Sequence, residues 1–141
     1  MLAQHPKKSR PYSKIHLVVD SYGLPTEFIT TGGGIHDSTA ANDLIEILPY
    51  ADYLIADKGY DSKKIRCKVR TQGSTPVIPR KRNSKIGNAD INWCLYKYRH
   101  LVENAFARLK HFRSITTRYD KLKIHCTSML ALTCAIIWLP M

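Results

Sequence analysis

Apolar and polar positions change their period several times along this chain, and each change marks an element. Lys14 to Asp20 (K-I-H-L-V-V-D) is a short run rich in β-branched residues that reads as a buried strand. Ser21-Tyr22-Gly23 turns the chain, and Pro25 to Thr31 reads as a second strand folded back on the first. Gly32-Gly33-Gly34 would let a phosphate approach the backbone, but a plain strand-to-helix turn is the simpler reading. Asp37 and Ser38 cap a helix predicted from Thr39 to Leu48, where Ala40, Leu44, Ile47 and Leu48 recur at three-to-four spacing. His36 beside Asp37 invites a metal reading, against which capping by Asp37 is preferred. Pro49 stops the helix.

Asp52 to Asp57 (D-Y-L-I-A-D) reads as a short apolar strand that ends on an acid. A helix follows from Ser62 to Thr71, closed by Gly73, and Thr75 to Pro79 reads as an edge strand because of its prolines. Arg80 to Asn88 is basic and polar and reads as a mobile loop. Asp90 to Arg113 carries the longest helical pattern, uninterrupted by Gly or Pro. A last helix over Ile124–Leu139 is apolar on most faces, so burial is expected for it, and Trp93 and Trp138 are expected in the core. The order strand, strand, helix, strand, helix, strand, helix, helix gives an α/β class with a mixed sheet and flanking helices. No repeat or linker divides it, so residues 1–141 read as a single domain.

Composition narrows the function classes. The 141 residues are 44% hydrophobic and 23% charged, enough for a core in one domain. The N-terminus shows no signal-peptide pattern, and the longest apolar stretch, Met129 to Leu139, is too short for a membrane span. Cys67, Cys94, Cys126 and Cys134 form no C-x-x-C pair, which argues against a zinc ribbon and for reduced, mostly buried thiols in a cytoplasmic protein. The net charge is +11. Residues 1–56 hold 4 basic and 6 acidic side chains, whereas residues 57–141 hold 18 and 5. Asp57 to Lys85 alone carries ten Lys or Arg against two Asp. This is either a solvated face or a strip of phosphate contacts, with nucleic acid, ahead of a membrane surface, as the expected partner and Arg80, Lys81 and Arg82 as its densest run.

Two acids stand out. Asp57 ends a predicted buried strand, where α/β sheets open their ligand clefts, although it also suits a cap of the following helix. Glu103 lies mid-helix, and at about 100° per residue Tyr96, Arg99, Glu103 and Lys110 fall on one narrow stripe. Leu95, Val102, Phe106 and Leu109 occupy the adjoining arc, which must face the core. Spacing alone leaves Arg99 and Glu103 as an ordinary i,i+4 surface pair. His100 and His111, on the same helix, are expected to face solvent or a DNA backbone.

The string Tyr96-x-x-Arg99-x-x-x-Glu103-x-x-x-x-x-x-Lys110 resembles the Y-R-E-K signature of DDE-type bacterial insertion-sequence transposases. Its flanks, together with Ala56-Asp57-Lys58-Gly59-Tyr60-Asp61, Thr75-Pro76-Val77-Ile78-Pro79 and Arg118-Tyr119-Asp120-Lys121, look like the insertion-sequence-5 group. The resemblance runs from about Lys14 to Leu139. It implies an RNase H-like fold that binds two Mg²⁺ (or Mn²⁺) ions between three carboxylates, for cleavage of transposon ends and strand transfer into target DNA. Asp57 matches the second Asp of that triad and Glu103 its Glu, so these two are the implied metal ligands and catalytic residues. Tyr96, Arg99 and Lys110 match the residues that contact DNA.

The departure from the family pattern is as informative. The first Asp of the triad belongs to a strand ahead of K-I-H-L-V-V-D, and residues 1–13 contain no Asp or Glu. The chain therefore reads as the C-terminal part of a catalytic domain that lacks the first strand. It is expected to be inactive alone and to work with an upstream transposase segment or a full-length transposase. The alternative is a non-catalytic, DNA-binding or regulatory transposase fragment. A basic RNA-binding protein fits the charge but leaves the Y-R-E-K spacing unexplained.

Overall fold

In the computed structural model, residues 2–3, 13–112 and 123–139 are described. Strand β1 is Leu2–Ala3, β2 is Ser13–Val19 and β3 is Pro25–Gly32. They form an antiparallel sheet in the order β1-β2-β3. Helix α1 spans Asp37–Ile47, β4 Tyr53–Ile55, α2 Lys63–Thr71 and β5 Thr75–Val77. Strands β4 and β5 pair in parallel as a second sheet. After a loop come α3 (Trp93–Tyr96), a 3₁₀ turn (Lys97–Arg99), α4 (His100–His111) and α5 (Lys123–Trp138).

Strand β2 divides the core, because successive side chains leave a strand on opposite faces. Ile15, Leu17 and Val19 pack with Val102, Ala105, Phe106 and Leu109 of α4 and with Leu130 and Cys134 of α5. Val18, on the other face, packs with Ala41, Leu44 and Ile45 of α1, Leu54 and Ala56 at β4, and Ile65 and Val69 of α2. A strand buried on both faces carries no polar alternation, which is why its sequence is a nearly unbroken apolar run. Within its buried stretch Ile15–Val19 the one polar residue, His16, is fully buried and bonded on both ring nitrogens, by Tyr60 Oη at 2.8 Å and Thr31 Oγ1 at 2.9 Å.

Several expectations are met to within a residue or two: both antiparallel strands, α1, α2, β5 and α5. Gly73 closes α2 with φ +84°, a left-handed backbone that favours glycine. Others are corrected. The strands form two sheets among the described residues rather than one mixed sheet, and a two-residue strand, β1, does precede β2. The long helical pattern begins at Trp93, not Asp90, and tightens to a 3₁₀ turn at residues 97–99. Asp37 lies inside α1 and caps nothing; its carboxylate pairs with Lys14 Nζ at 3.1 Å. Helix α5 buries only the face bearing Leu130, Thr133 and Cys134, leaving Leu132, Ile136 and Trp138 exposed. Trp138 instead donates its indole N–H to the Pro25 carbonyl at 2.6 Å, and Trp93 is half-exposed. Cys67 and Cys94 are exposed, and among the described side chains only Cys134 is a buried thiol, its pKa pushed up to about 11 by burial. The side chain of Cys126 and the Arg118–Lys121 motif lie outside the described residues.

Candidate active site

Strand β4 delivers Asp57. Ala56 still bonds to the neighbouring strand through its N–H, to the Val77 carbonyl at 3.2 Å. The backbone then leaves the sheet, and the Asp57 carbonyl accepts from Tyr60 N–H at 2.9 Å to start a 3₁₀ turn over Lys58–Tyr60. The Asp57 side chain makes no capping bond to that turn. It reaches instead to Tyr96 and Arg99 in the segment that begins at Trp93.

There it meets two members of the stripe. Arg99 Nη1 donates to Asp57 Oδ1 at 3.1 Å and to Oδ2 at 3.3 Å, and Tyr96 Oη donates to Oδ1 at 3.3 Å. The same guanidinium uses Nη2 to reach Glu103 Oε1 at 2.6 Å. One cation thus gathers the two carboxylates expected to act together. The Arg99–Glu103 pair is an i,i+4 bridge, as spacing suggests, but it is also half of a link between β4 and α4. The Tyr96 ring lies beneath the guanidinium, 6.0 Å from centroid to Cζ, and Trp93 stands edge-on to it at 5.7 Å. Burial, and then the negative charge of Asp57, raises the Tyr96 phenol above its ordinary pKa, so it stays a proton donor.

Asp57, Arg99 and Glu103 keep side-chain exposures of 29%, 31% and 53%, so the group is open to a ligand from solvent. Carboxylate oxygens are the ligand type that Mg²⁺ or Mn²⁺ takes, but only Asp57 and Glu103 supply them here. Among the described residues no group of three His, Cys, Asp or Glu side chains is arranged to hold a metal.

The remaining candidates lie elsewhere. Lys110 is exposed, two turns further along α4 than Glu103. Arg80 is engaged within its own loop: it pairs with Asp90 and donates to the Gly87 carbonyl at 2.7 Å, while its N–H is held by Asn88 Oδ1 at 2.7 Å. That bridge holds the Asp90 carboxyl down at about 2. Lys81 and Arg82 are exposed on the same loop. The loop is fastened rather than loose, because Asp61 accepts from Lys81 N–H at 2.9 Å and from Arg66 at 2.8 Å. Arg66, largely buried, also donates to the Ile78 carbonyl at 2.6 Å. Sequence reading missed this Asp61–Arg66 brace, whose only signal was an i,i+5 pair that looked like surface charge.

It also missed the support beneath Asp57. Tyr60, buried at 1% exposure, ties the 3₁₀ turn to His16 on β2. Burial raises the Tyr60 phenol pKa strongly and lowers that of His16, so both are neutral in the fold. A histidine inside an apolar strand was the available clue.

Residues 3–138 match the transposase DDE domain family. The transposase assigned to insertion sequence element IS6501 of Brucella ovis is 32% identical over 127 residues, covering 90% of this chain and 98% of the relative. The one assigned to insertion sequence element IS402 of Burkholderia cepacia is 35% identical over 143 residues. That match covers 93% of this chain but 65% of the relative, so the chain spans just under two thirds of that protein. No solved structure matches the chain.

Proposed function

The chain belongs to the transposase DDE domain family, and from that premise we propose that it serves DNA transposition as the C-terminal part of an RNase H-like catalytic domain of the insertion-sequence-5 group. The observation that carries this reading is the convergence of Asp57 and Glu103, from separate elements, on the Arg99 guanidinium. Asp57 and Glu103 would hold Mg²⁺ or Mn²⁺, which supplies Lewis-acid activation of a phosphodiester and of its attacking group. Tyr96 and Arg99 present donors for a phosphate beside the two acids, and Lys110 extends the basic stripe along α4. Lys81 and Arg82 offer further phosphate contacts from a loop whose shape Arg80 sets.

The reaction class is metal-assisted phosphoryl transfer: water nicks a transposon end, and the freed 3′-hydroxyl attacks target DNA. A third carboxylate is required, and among the described residues none is grouped with Asp57 and Glu103. We assign it to an upstream transposase segment acting in cis or in a partner chain. The second reading, a regulatory DNA-binding fragment that pairs with full-length transposase, draws on the same lack of a third ligand. A DNA substrate in a bacterial-type insertion sequence supports a cytoplasmic location. Among the described residues no helix is long and apolar enough to cross a membrane.

Cleavage of end-containing DNA in Mg²⁺ or Mn²⁺ tests the proposal. The 141-residue chain should be inactive, and the chain extended by its upstream coding segment should cleave. Asp57→Ala or Glu103→Ala should abolish that cleavage with the fold intact. Strong metal-dependent cleavage by the short chain, or an extended protein that tolerates both substitutions, overturns the assignment.

A further inference from the structure

We propose that the segment from Trp93 to His100 is a stacking platform for unpaired bases, so that the chain binds single-stranded DNA beside Asp57. This rests on the reading of DNA as the substrate, but not on which residues hold a metal.

Packing does not explain the exposure of two rings in this segment. Trp93 is 51% exposed and Tyr98 54%, and neither joins the core on either face of β2. Two large aromatic side chains left in water within six positions point to a partner that covers them. The rings are nonetheless held in place. Asn92 accepts from the Leu95 N–H at 3.2 Å and so caps α3, which fixes the backbone at Trp93. The indole stands at 90° to the Tyr96 ring with 5.7 Å between centroids, and Tyr98 lies against His100 at 27° and 6.4 Å. His100 is itself tethered, with Nδ1 bonded to the Lys97 carbonyl at 2.8 Å. Rings already oriented lose little freedom when a flat partner settles on them.

Position and charge identify that partner. Tyr96, whose hydroxyl meets Asp57 at 3.3 Å, is the ring that Trp93 packs on, so the indole is one ring removed from the carboxylate. Trp93, Lys97 and His100 recur at i, i+4 and i+7, and all three are exposed. Residues 91–102 contain Lys97 and Arg99 and no Asp or Glu. A surface that interleaves rings with positive charge suits a nucleic-acid strand, whose bases stack on the rings while its phosphates meet the cations. An apolar protein partner calls for aliphatic contacts, and the exposed side chains on this face are aromatic or basic. The bases must be unpaired, because inside a duplex each base face is covered by its neighbour. A strand opened next to Asp57 would present its bases to these rings.

Fluorescence anisotropy without metal tests this on three labelled probes of about 20 nucleotides, a length that exceeds the usual single-strand site. They are oligo(dT), an abasic strand and a duplex. Wild type should bind oligo(dT) more tightly than the abasic strand. Trp93→Ala should weaken oligo(dT) binding about fivefold or more, the low end of what one stacked base contributes, and leave the other two probes within about twofold. Tyr98→Ala should lose affinity in the same selective way. Lys97→Gln should weaken all three probes, since a phosphate contact does not see bases. Equal losses on all probes for Trp93→Ala, or no loss, overturn the proposal and leave the DNA reading standing. A Trp93-dependent dimer in sedimentation, with no selective loss on oligo(dT), makes the face a contact between copies and overturns it as well. Failure to bind any probe overturns the DNA reading and this proposal with it. If Trp93→Ala loses its circular-dichroism melt, the indole N–H resonance of Trp93 in the unaltered chain decides. It should shift with oligo(dT) and stay in place with the abasic strand, and equal shifts or none overturn stacking.

Discussion

Arg99 and Asp57 are 42 positions apart, and Nη1 of the one lies 3.1 Å from Oδ1 of the other. That contact ties the residue after β4 to the 3₁₀ turn ahead of α4. Partly exposed ion pairs contribute about 0–1 kcal/mol, so the pair organises the site more than it stabilises the fold. Asp57→Asn should therefore lower stability by no more than about 1 kcal/mol in urea denaturation. Metal binding should nonetheless fall by tenfold or more. A large loss of stability instead would mark Asp57 as a structural residue.

The stripe Tyr96, Arg99, Glu103 and the apolar arc beside it were legible because helical period alone places them. Val102, Phe106 and Leu109 are buried as that period demands. The long-range half of the site was legible only in part. Asp57 stood out by its place at a strand end, but nothing local shows that its carboxylate crosses to Arg99 rather than capping the next turn. Arg80 misled for a related reason: a charge run looks solvated until its partner is known, and Asp90 lies ten residues on. Trp93 misled by type, since an indole can rest its edge on another ring and still meet solvent. The division of strands into two sheets is a matter of pairing between distant segments, which sequence period does not encode.

Arg80 and its neighbours should separate cleanly. Arg80→Ala removes the pair with Asp90 and the bond to the Gly87 carbonyl, so residues 81–88 should lose protection in hydrogen exchange and gain sensitivity to trypsin. Lys81→Ala and Arg82→Ala remove exposed charge only, and should weaken DNA binding with unchanged protection. Identical behaviour of all three variants in both measurements would contradict the division of labour.

His16 gives the fold a pH dependence of known sign. Burial lowers its pKa below the ordinary 6.5, so the unfolded chain takes up a proton that the folded one refuses. Stability from this group is complete above pH 6.5 and falls as pH drops from there toward the lowered folded value. The slope in that window is at most about 1.4 kcal/mol per pH unit. Urea titrations at pH 7.5, 6.5 and 5.5 should show it, and the difference between wild type and His16→Gln isolates it. Tyr60→Phe should cost about 1–3 kcal/mol at pH 7.5 by leaving one imidazole nitrogen without its partner. A wild type and a His16→Gln variant with parallel pH profiles would rule the histidine out as the source.

The basic excess after residue 56 makes a prediction about DNA that is independent of the metal. Each phosphate neutralised by a Lys or Arg releases counterions, so log affinity should fall linearly with log salt, by about 0.9 per contact. Fluorescence anisotropy on unrelated duplexes should give similar affinities, since phosphate contacts carry no base information. Lys81→Ala and Arg82→Ala should each flatten the salt slope by about one and weaken every duplex alike. Lys110→Ala should do the same from α4. Affinity that ignores salt, or a loss confined to one sequence, would mean that something other than this basic surface holds the DNA.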